Sequence, residues 1–501
     1  MKSVTRRDVC KMLPSFGLLA PGSAPTLAQL VTGISKVKPG SGQLESKLEI
    51  DSSSAKLVDV FHWARSQAMA YSFDNGDPVG PWYEAVEPGR EGFCIRDTCH
   101  QALGAQALGL ARFNLNMLRH FAENISDSKD WCSYWEIDRY NRPAPVDYEN
   151  DASFWYNLPS NFDLLDCCYR MYVWSGDLRY VQDPVFLNFY DRTVNDYVQR
   201  WGLDLDHIMR RPRLLNQRGI FDPHTKFPPN RGIPGYDEGD HDYVIGFDVV
   251  ATQRAAYLAY AHIQEARQNA ALADEYLKKA AAVENLMKTV WWNKTSQCFS
   301  SRVSGNHQME DCGERRDDAD MSIDWRTDVR WRTDVISDPA IIAGSKDSDA
   351  TMTRLLDLSH ARLEYPEVSY SRVGDIVTDA MGIRLEFSSP LLSAVRGGDW
   401  VEVTVRTLSG LGSAIEWAEI RNLPIRACDV TVRHDGPGKT TFTNQRGPAL
   451  IWRAMFEGQH ATLMVNGREV KATSQNDDSG QTVSSARVTV GAGGVITVST
   501  S

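Results

Sequence analysis

At 501 residues the chain is longer than one hydrophobic core usually holds, so two or more domains are expected. Its 42% hydrophobic and 24% charged residues are ordinary for a soluble globular protein. A formal net charge of −11 with no Lys/Arg run argues against nucleic acid and anionic membrane surfaces as partners. A neutral ligand such as a carbohydrate suits that balance, and the 14 tryptophans serve either to stack on flat ligands or to fill helical cores.

Residues 1–28 read as an export signal. Thr5-Arg6-Arg7-Asp8-Val9-Cys10-Lys11 precedes a modest apolar stretch, Met12 to Ala20, and Thr26-Leu27-Ala28 supplies a small-residue cleavage site. This twin-arginine-like pattern predicts a periplasmic or extracellular protein. The apolar stretch is too short, and too interrupted by Pro and Gly, to insert across a bilayer. Eight of the nine cysteines lie beyond Cys10, which permits disulfides. Folding before export makes buried free thiols an equal alternative, and no Cys pairing has zinc-site spacing. Residues 29–53 are Gly/Ser/Lys-rich and read as a linker.

From Ser54 a helical period takes over, with Leu57, Val58, Val60, Phe61, Ala64 and Ala68 on one face. Further helices are predicted over Thr98–Ala122, Asn161–Trp174, Phe186–Trp201, Phe247–Arg267, Leu272–Val290, Ala350–Ala361 and Ser371–Met381. Long loops rich in Trp, Tyr, Pro and Gly alternate with short turns. A closed ring of antiparallel helical hairpins has this rhythm, with its long loops gathered at one mouth. Some helices of a full ring would then lie in the weakly patterned stretch 300–345. The tandem Trp325-Arg326-Thr327-Asp328-Val329-Arg330 and Trp331-Arg332-Thr333-Asp334-Val335 falls there without a functional account. Past Ile383 the period becomes two, as in Val401/Val403/Val405, Val430/Val432 and Val488/Val490, with turns at Asn466-Gly467 and Gly493-Gly494. The expected fold is therefore mainly α: an (α/α)6 toroid over 54–384, then an antiparallel β-sandwich over 385–501 interrupted by one helix near Leu411–Ile420.

Three stretches carry candidate chemistry. In Gly92-Phe93-Cys94-Ile95-Arg96-Asp97-Thr98, an Arg fork and an Asp carboxylate at a helix mouth can hold the vicinal hydroxyls of one sugar ring. Equally, Asp97 can serve the helix terminus while Arg96 pairs with a carboxylate. Glycosidic cleavage needs a carboxylic acid to protonate the leaving oxygen and a second carboxylate on the far side of the ring. Gly235-Tyr236-Asp237-Glu238-Gly239-Asp240-His241-Asp242 crowds titratable groups that can raise one carboxyl into the general-acid range. Glu238 is the choice there and Asp237 and Asp240 are alternates; a solvated acidic loop or a calcium site competes, without helix-loop-helix calcium spacing. Glu364-Tyr365-Pro366-Glu367 enters a later helix, with Glu367 as candidate base and Glu364 in reserve. Its competitor is a first-turn Glu that only stabilises the helix. Trp82, Trp135 and Trp155 are candidates for stacking on sugar. His100 reads as an interior histidine.

Phe93-Cys94-Ile95-Arg96-Asp97-Thr98 is similar to the aromatic-x-x-Arg-Asp-Ser/Thr segment that binds the terminal sugar in glucoamylases and exo-mannosidases. Gly235-Tyr236-Asp237-Glu238, followed by Phe247…Gln253-Arg254, resembles the glucoamylase loop and helix that bear the general acid. It lacks the aromatic before the acid and differs in spacing, which keeps Asp240 open. Ser369-Tyr370…Gly374…Met381-Gly382-Ile383 resembles the late helix of the rhamnosidase branch. Over residues 55–385 the chain thus resembles the six-hairpin glycosidase superfamily. The resemblance implies an exo-acting, inverting glycoside hydrolase with Arg96 and Asp97 on the terminal ring, Glu238 as acid and Glu367 as base. No metal or cofactor is implied, and the oligomeric state is left open. Two rival readings remain. One is an unsaturated uronide hydrolase or polysaccharide lyase on the same toroid, for which Arg90, Arg139, Arg142 and Arg231 could supply cations. The other is a non-catalytic carbohydrate-binding protein.

Overall fold

The computed structural model describes residues 44–86, 88–211, 231–236, 243–295, 298–310, 348–358, 363–387, 403–476 and 481–500. The expected export signal, most of the expected linker, the tandem repeat, and the candidates Asp237, Glu238 and Asp240 lie outside the described residues.

Helices α1 (Ala55–Ala70), α2 (Ile95–Ala107), α3 (Ala111–Glu123), α4 (Pro159–Ser175), α5 (Pro184–Arg192), α6 (Phe247–Ala266), α7 (Ala270–Leu286), α8 (Ser348–Leu356) and α9 (Pro366–Asp375) sort into two layers. A helix buried around its whole circumference must have neighbours on all sides that cover its apolar side chains and pair its polar ones. Nearly every side chain of α4 and α6 is buried, and so is every one of α9. These three and α2 pack side by side in the order α9, α2, α4, α6. Outside them, α7 buries only Ala273, Tyr276, Ala280 and Val283, as a surface helix does. Here α1 backs α9, α3 fills the groove of α2 and α4, α5 covers α3, and α7 covers α6. The described residues trace an arc of helical hairpins; the stretch expected to hide the remaining helices lies mostly outside them.

Local chemistry sets the helix ends. Ser54 caps α1 by accepting from Leu57 N at 3.3 Å. The expected single helix Thr98–Ala122 is two helices. The apolar period runs on unbroken, yet Gly109 takes φ +89° and turns the chain back between α2 and α3.

The second unit holds β1 (Glu49–Ser52), β2 (Ile383–Phe387), β3 (Val403–Leu408), β4 (Trp417–Ile425), β5 (Cys428–Asp435), β6 (Lys439–Arg446), β7 (Leu450–Glu457), β8 (Thr462–Val465), β9 (Arg468–Lys471), β10 (Thr473–Asn476), β11 (Thr482–Val490) and β12 (Val495–Thr500). One sheet runs β1-β4-β5-β6-β12-β8-β9 and the other β2-β3-β7-β11-β10. Pairing is antiparallel except for β3 against β7. Phe442 of the first sheet stacks on Trp452 of the second at 5.2 Å, so the inner faces share a core. Helix takes 41% and strand 30% of the described residues, a heavier strand share than a mainly α chain implies. Two sequence expectations change here. Glu49–Ser52, inside the stretch read as linker, adds an edge strand paired with Ala418–Arg421. Leu411–Ile420 is not a helix: Ser413 N is held by Asp349 Oδ1 at 2.6 Å, and β4 begins at Trp417. The apolar residues that suggested a helix, Leu411 and Ile415, are buried from a turn.

The β unit docks on the helices through backbone contacts. Arg426 N donates to Trp174 O at 2.6 Å, at the end of α4. His434 of β5 is wholly buried, with Nε2 3.0 Å from Met381 O and Nδ1 2.9 Å from Thr440 Oγ1. Burial lowers its pKa from 6.5 to about 4, against the raising influence of the Met381 carbonyl and Asp435. The folded state therefore favours the neutral ring. Its contribution is complete above pH 6.5 and is lost as pH falls through about 4, a span worth about 3 kcal/mol. Urea unfolding at pH 7 and pH 4.5 is expected to show this loss, with a shallower pH slope in His434→Gln.

Candidate active site

The short strand Gly92–Cys94 pairs with Glu136–Asp138, and Ile95 N donates to Trp135 O at 2.9 Å. This ribbon fixes where α2 starts. Thr98 Oγ1 ties back to Cys94 O at 2.7 Å, so the first turn carrying Arg96 and Asp97 is set from both sides. Arg96 Nε donates to Asp97 Oδ1 at 3.1 Å, and its guanidinium lies 5.6 Å from the Trp135 ring and 5.3 Å from Tyr236. Asp97 is nearly buried at the positive end of the helix, where its charge is favoured. Arg96 keeps 25% of its side chain exposed, enough to meet a ligand.

Tyr236 brings a second loop to this place, in a segment held almost residue by residue. Tyr156–Asn157 pairs in parallel with Arg231–Ile233. Asn157 Nδ2 donates to Gly235 O at 2.6 Å, and Gly246 N to Pro234 O at 2.7 Å. Tyr236 N donates to Asp248 Oδ2 at 2.6 Å, and its hydroxyl donates to Asp163 of α4. The candidate acids Asp237, Glu238 and Asp240 follow immediately in the chain but are outside the described residues.

Glu367 enters from α9. Pro366 occupies the first helical position, where its missing N–H costs nothing, and Glu367 is in the first turn. Its Oε1 lies 3.2 Å from His100 Nδ1, one turn beyond Arg96 on α2. Both side chains are largely buried, His100 at 13% and Glu367 at 9% exposed. The structure thus sets Arg96, Asp97, His100 and Glu367 around the start of α2, with Tyr236 beside them. Glu364, the reserve base, is exposed in the turn before α9.

The tryptophans differ from expectation. Trp82 stacks on Phe73 at 4.5 Å and gives its N–H to Asp77 at 2.7 Å, so it packs the core. Trp155 is buried with its N–H on Asn157 Oδ1 at 3.0 Å, and buried Trp135 faces Arg96. None presents an open indole face; all three anchor the loops.

Several carboxylates passed unnoticed in the sequence. Asp163 and Asp166 are buried on α4, the latter paired with Arg170 at 2.9 Å. Two acids three residues apart, bracketing Leu164-Leu165 and followed by Cys167-Cys168, were the available signal. Glu136 and Asp147, both buried, are joined by Arg90. Glu84, in the apolar run Trp82-Tyr83-Glu84-Ala85-Val86, accepts from Gly89 N at 2.8 Å and Glu91 N at 3.2 Å. Burial pushes its carboxyl up to about 7 against those bonds. Arg139, Arg142 and Arg231 pair with Asp77, Asp138 and Asp130 at 2.5, 2.8 and 3.0 Å. Among the described residues, no His/Cys/Asp/Glu group is arranged to hold a metal ion, and no helix is long and apolar enough to cross a membrane. Cys94, Cys99, Cys132, Cys167, Cys168 and Cys428 are buried and unbridged.

A scan of family models and a search of curated proteins return no match. Solved structures do match. An α-L-rhamnosidase from Dictyoglumus thermophilum superposes with TM-score 0.50 at 11% identity, over 91% of this chain and 51% of that one. An α-L-rhamnosidase from Aspergillus terreus gives 0.46 at 11%, over 89% and 50%. A cellobiose 2-epimerase from Bacillus thermoamylovorans B4167 gives 0.29 at 12%, over 58% and 77%. The chain spans about half the length of the two rhamnosidases, and the likeness to the first is one of fold.

Proposed function

We propose that this chain is an exo-acting glycoside hydrolase working by inversion, on an (α/α)6 toroid with a β-sandwich behind it. The carrying observation is the 3.2 Å contact of Glu367 with His100, one turn along the helix whose first turn holds Arg96 and Asp97. A candidate base and a candidate ring-holding pair thereby share one helix mouth. Arg96 and Asp97 bind the terminal sugar, and Glu367 takes a proton from the attacking water. An acid from the loop after Tyr236, Glu238 with Asp237 and Asp240 as alternates, protonates the leaving oxygen. The fold likeness to an α-L-rhamnosidase supports a toroid scaffold. The arginines an anionic sugar would want, Arg90, Arg139, Arg142 and Arg231, already pair with carboxylates, which favours a neutral sugar over a uronide. The twin-arginine-like start and the buried unbridged cysteines fit a protein that folds before export.

A panel of 4-nitrophenyl glycosides tests the activity, and proton NMR of the first anomer released tests inversion. Hydrolysis of none contradicts the proposal. Asp97→Asn is expected to raise KM about tenfold to hundredfold with a smaller change in kcat, as removing a hydrogen bond from a charged group costs about 1.5–3 kcal/mol. A change confined to kcat would assign Asp97 a different role.

A further inference from the structure

His100 read as an interior histidine, and the proposed reaction does not use it. Its surroundings give it more to do. It lies four residues beyond Arg96, one turn along α2, and its Nδ1 meets Glu367 Oε1 at 3.2 Å. The two helices that carry the pair are locked together. At Gly104 an added Cβ would lie 1.9 Å from Tyr370 O, so the α2 and α9 backbones touch. Tyr370 is fixed in turn: its hydroxyl donates to Ala68 O and shares a second hydrogen bond with Ser72 Oγ, both at 2.7 Å. The start of α9 is tied by Val368 N on Tyr365 O at 3.1 Å and Ser369 Oγ on Pro366 O at 2.7 Å.

A carboxylate only accepts hydrogen bonds, so the imidazole nitrogen facing it is the one that carries hydrogen. A glutamate at a helix start otherwise has three side-chain torsions to explore. One donor from a neighbouring, immobilised helix removes most of that freedom and leaves the second oxygen to take a proton from water. We infer that His100 is the positioning residue of Glu367, holding the base through Nδ1–H in register with the sugar gripped at Arg96 and Asp97. This rests on the proposed hydrolase reading and adds to it a residue that acts through the base.

The test compares His100→Leu, His100→Asn and Glu367→Gln with wild type, on whichever 4-nitrophenyl glycoside wild type hydrolyses fastest, after thermal melts confirm folding. Asn offers an N–H near the place of Nδ1. His100→Leu is expected to lower kcat tenfold to hundredfold with KM within about threefold, the size of one charge-assisted hydrogen bond. His100→Asn is expected to recover most of that loss. Full kcat in His100→Leu beside an inactive Glu367→Gln overturns the inference and leaves the hydrolase reading standing. So does a His100→Asn no better than His100→Leu, or an effect confined to KM. A fully active Glu367→Gln, or no turnover of any glycoside, overturns both.

Discussion

Glu367→Gln is expected to lower kcat by about 10²- to 10⁴-fold while leaving KM close to wild type. The amide matches the carboxylate in shape, and its oxygen can still accept from His100. What it cannot do is take a proton from the attacking water. Glu367 is well placed for that loss to be specific. It is buried, in the first turn of α9, beside a helix whose own first turn holds Arg96 and Asp97. Steady-state kinetics on the best glycoside of the panel reads the split. A variant that loses affinity and keeps its turnover would make Glu367 a binding group.

The largest structural effect is expected at Gly104. A methyl group there would sit 1.9 Å from Tyr370 O and 2.7 Å from its carbonyl carbon. Gly374 lies opposite, its own Cβ position 3.4 Å from Gly104 N, so the helices cross with almost no side chain between them. Neither helix can yield easily, as Tyr370 is anchored to Ala68 and Ser72. Gly104→Ala should therefore cost about 3 kcal/mol, the upper end of what overpacking usually costs. It should also widen the gap from His100 to Glu367, so turnover falls at temperatures where the variant is still folded. Urea unfolding and kinetics on one preparation check both. Wild-type stability in Gly104→Ala would mean that the two helices do not meet there.

The helical period exposed most of the framework in the sequence. The apolar runs over Asn161–Trp174 and Phe247–Arg267 mark α4 and α6 to within a few residues. What the period could not show was a break that leaves it in phase. Leu108-Gly109-Leu110 turns the chain between α2 and α3 without disturbing the apolar count. Nor could local pattern reveal that Glu49–Ser52 pairs with a strand more than 360 residues later, because that pairing is a tertiary fact. Turn residues around Leu411 and Ile415 placed apolar side chains at helix-like spacing for packing reasons alone. Arg96, Asp97 and Glu367 stood out as candidates because they are charged residues at loop-to-helix junctions, and the structure places all three in first turns of helices, Arg96 and Asp97 in α2 and Glu367 in α9. Trp82 and Trp155 misled because an indole serves a core as readily as a sugar, and here their N–H groups are spent on Asp77 and Asn157. The contacts of His100 with Glu367 and of Asp163 with Tyr236 depend on which elements are neighbours, and one-dimensional spacing does not contain that.

The most direct test of the account is a crystal structure with the sugar product bound. The ring is expected to lie between the α2 mouth and the loop after Tyr236, with hydroxyls on Arg96 and Asp97. The Glu367 carboxylate should stand across the ring from an acid of that loop, about 6.5–9.5 Å away as inversion requires. A sugar seated elsewhere, or a ring on Arg96 and Asp97 with Glu367 out of reach of its anomeric carbon, would contradict it.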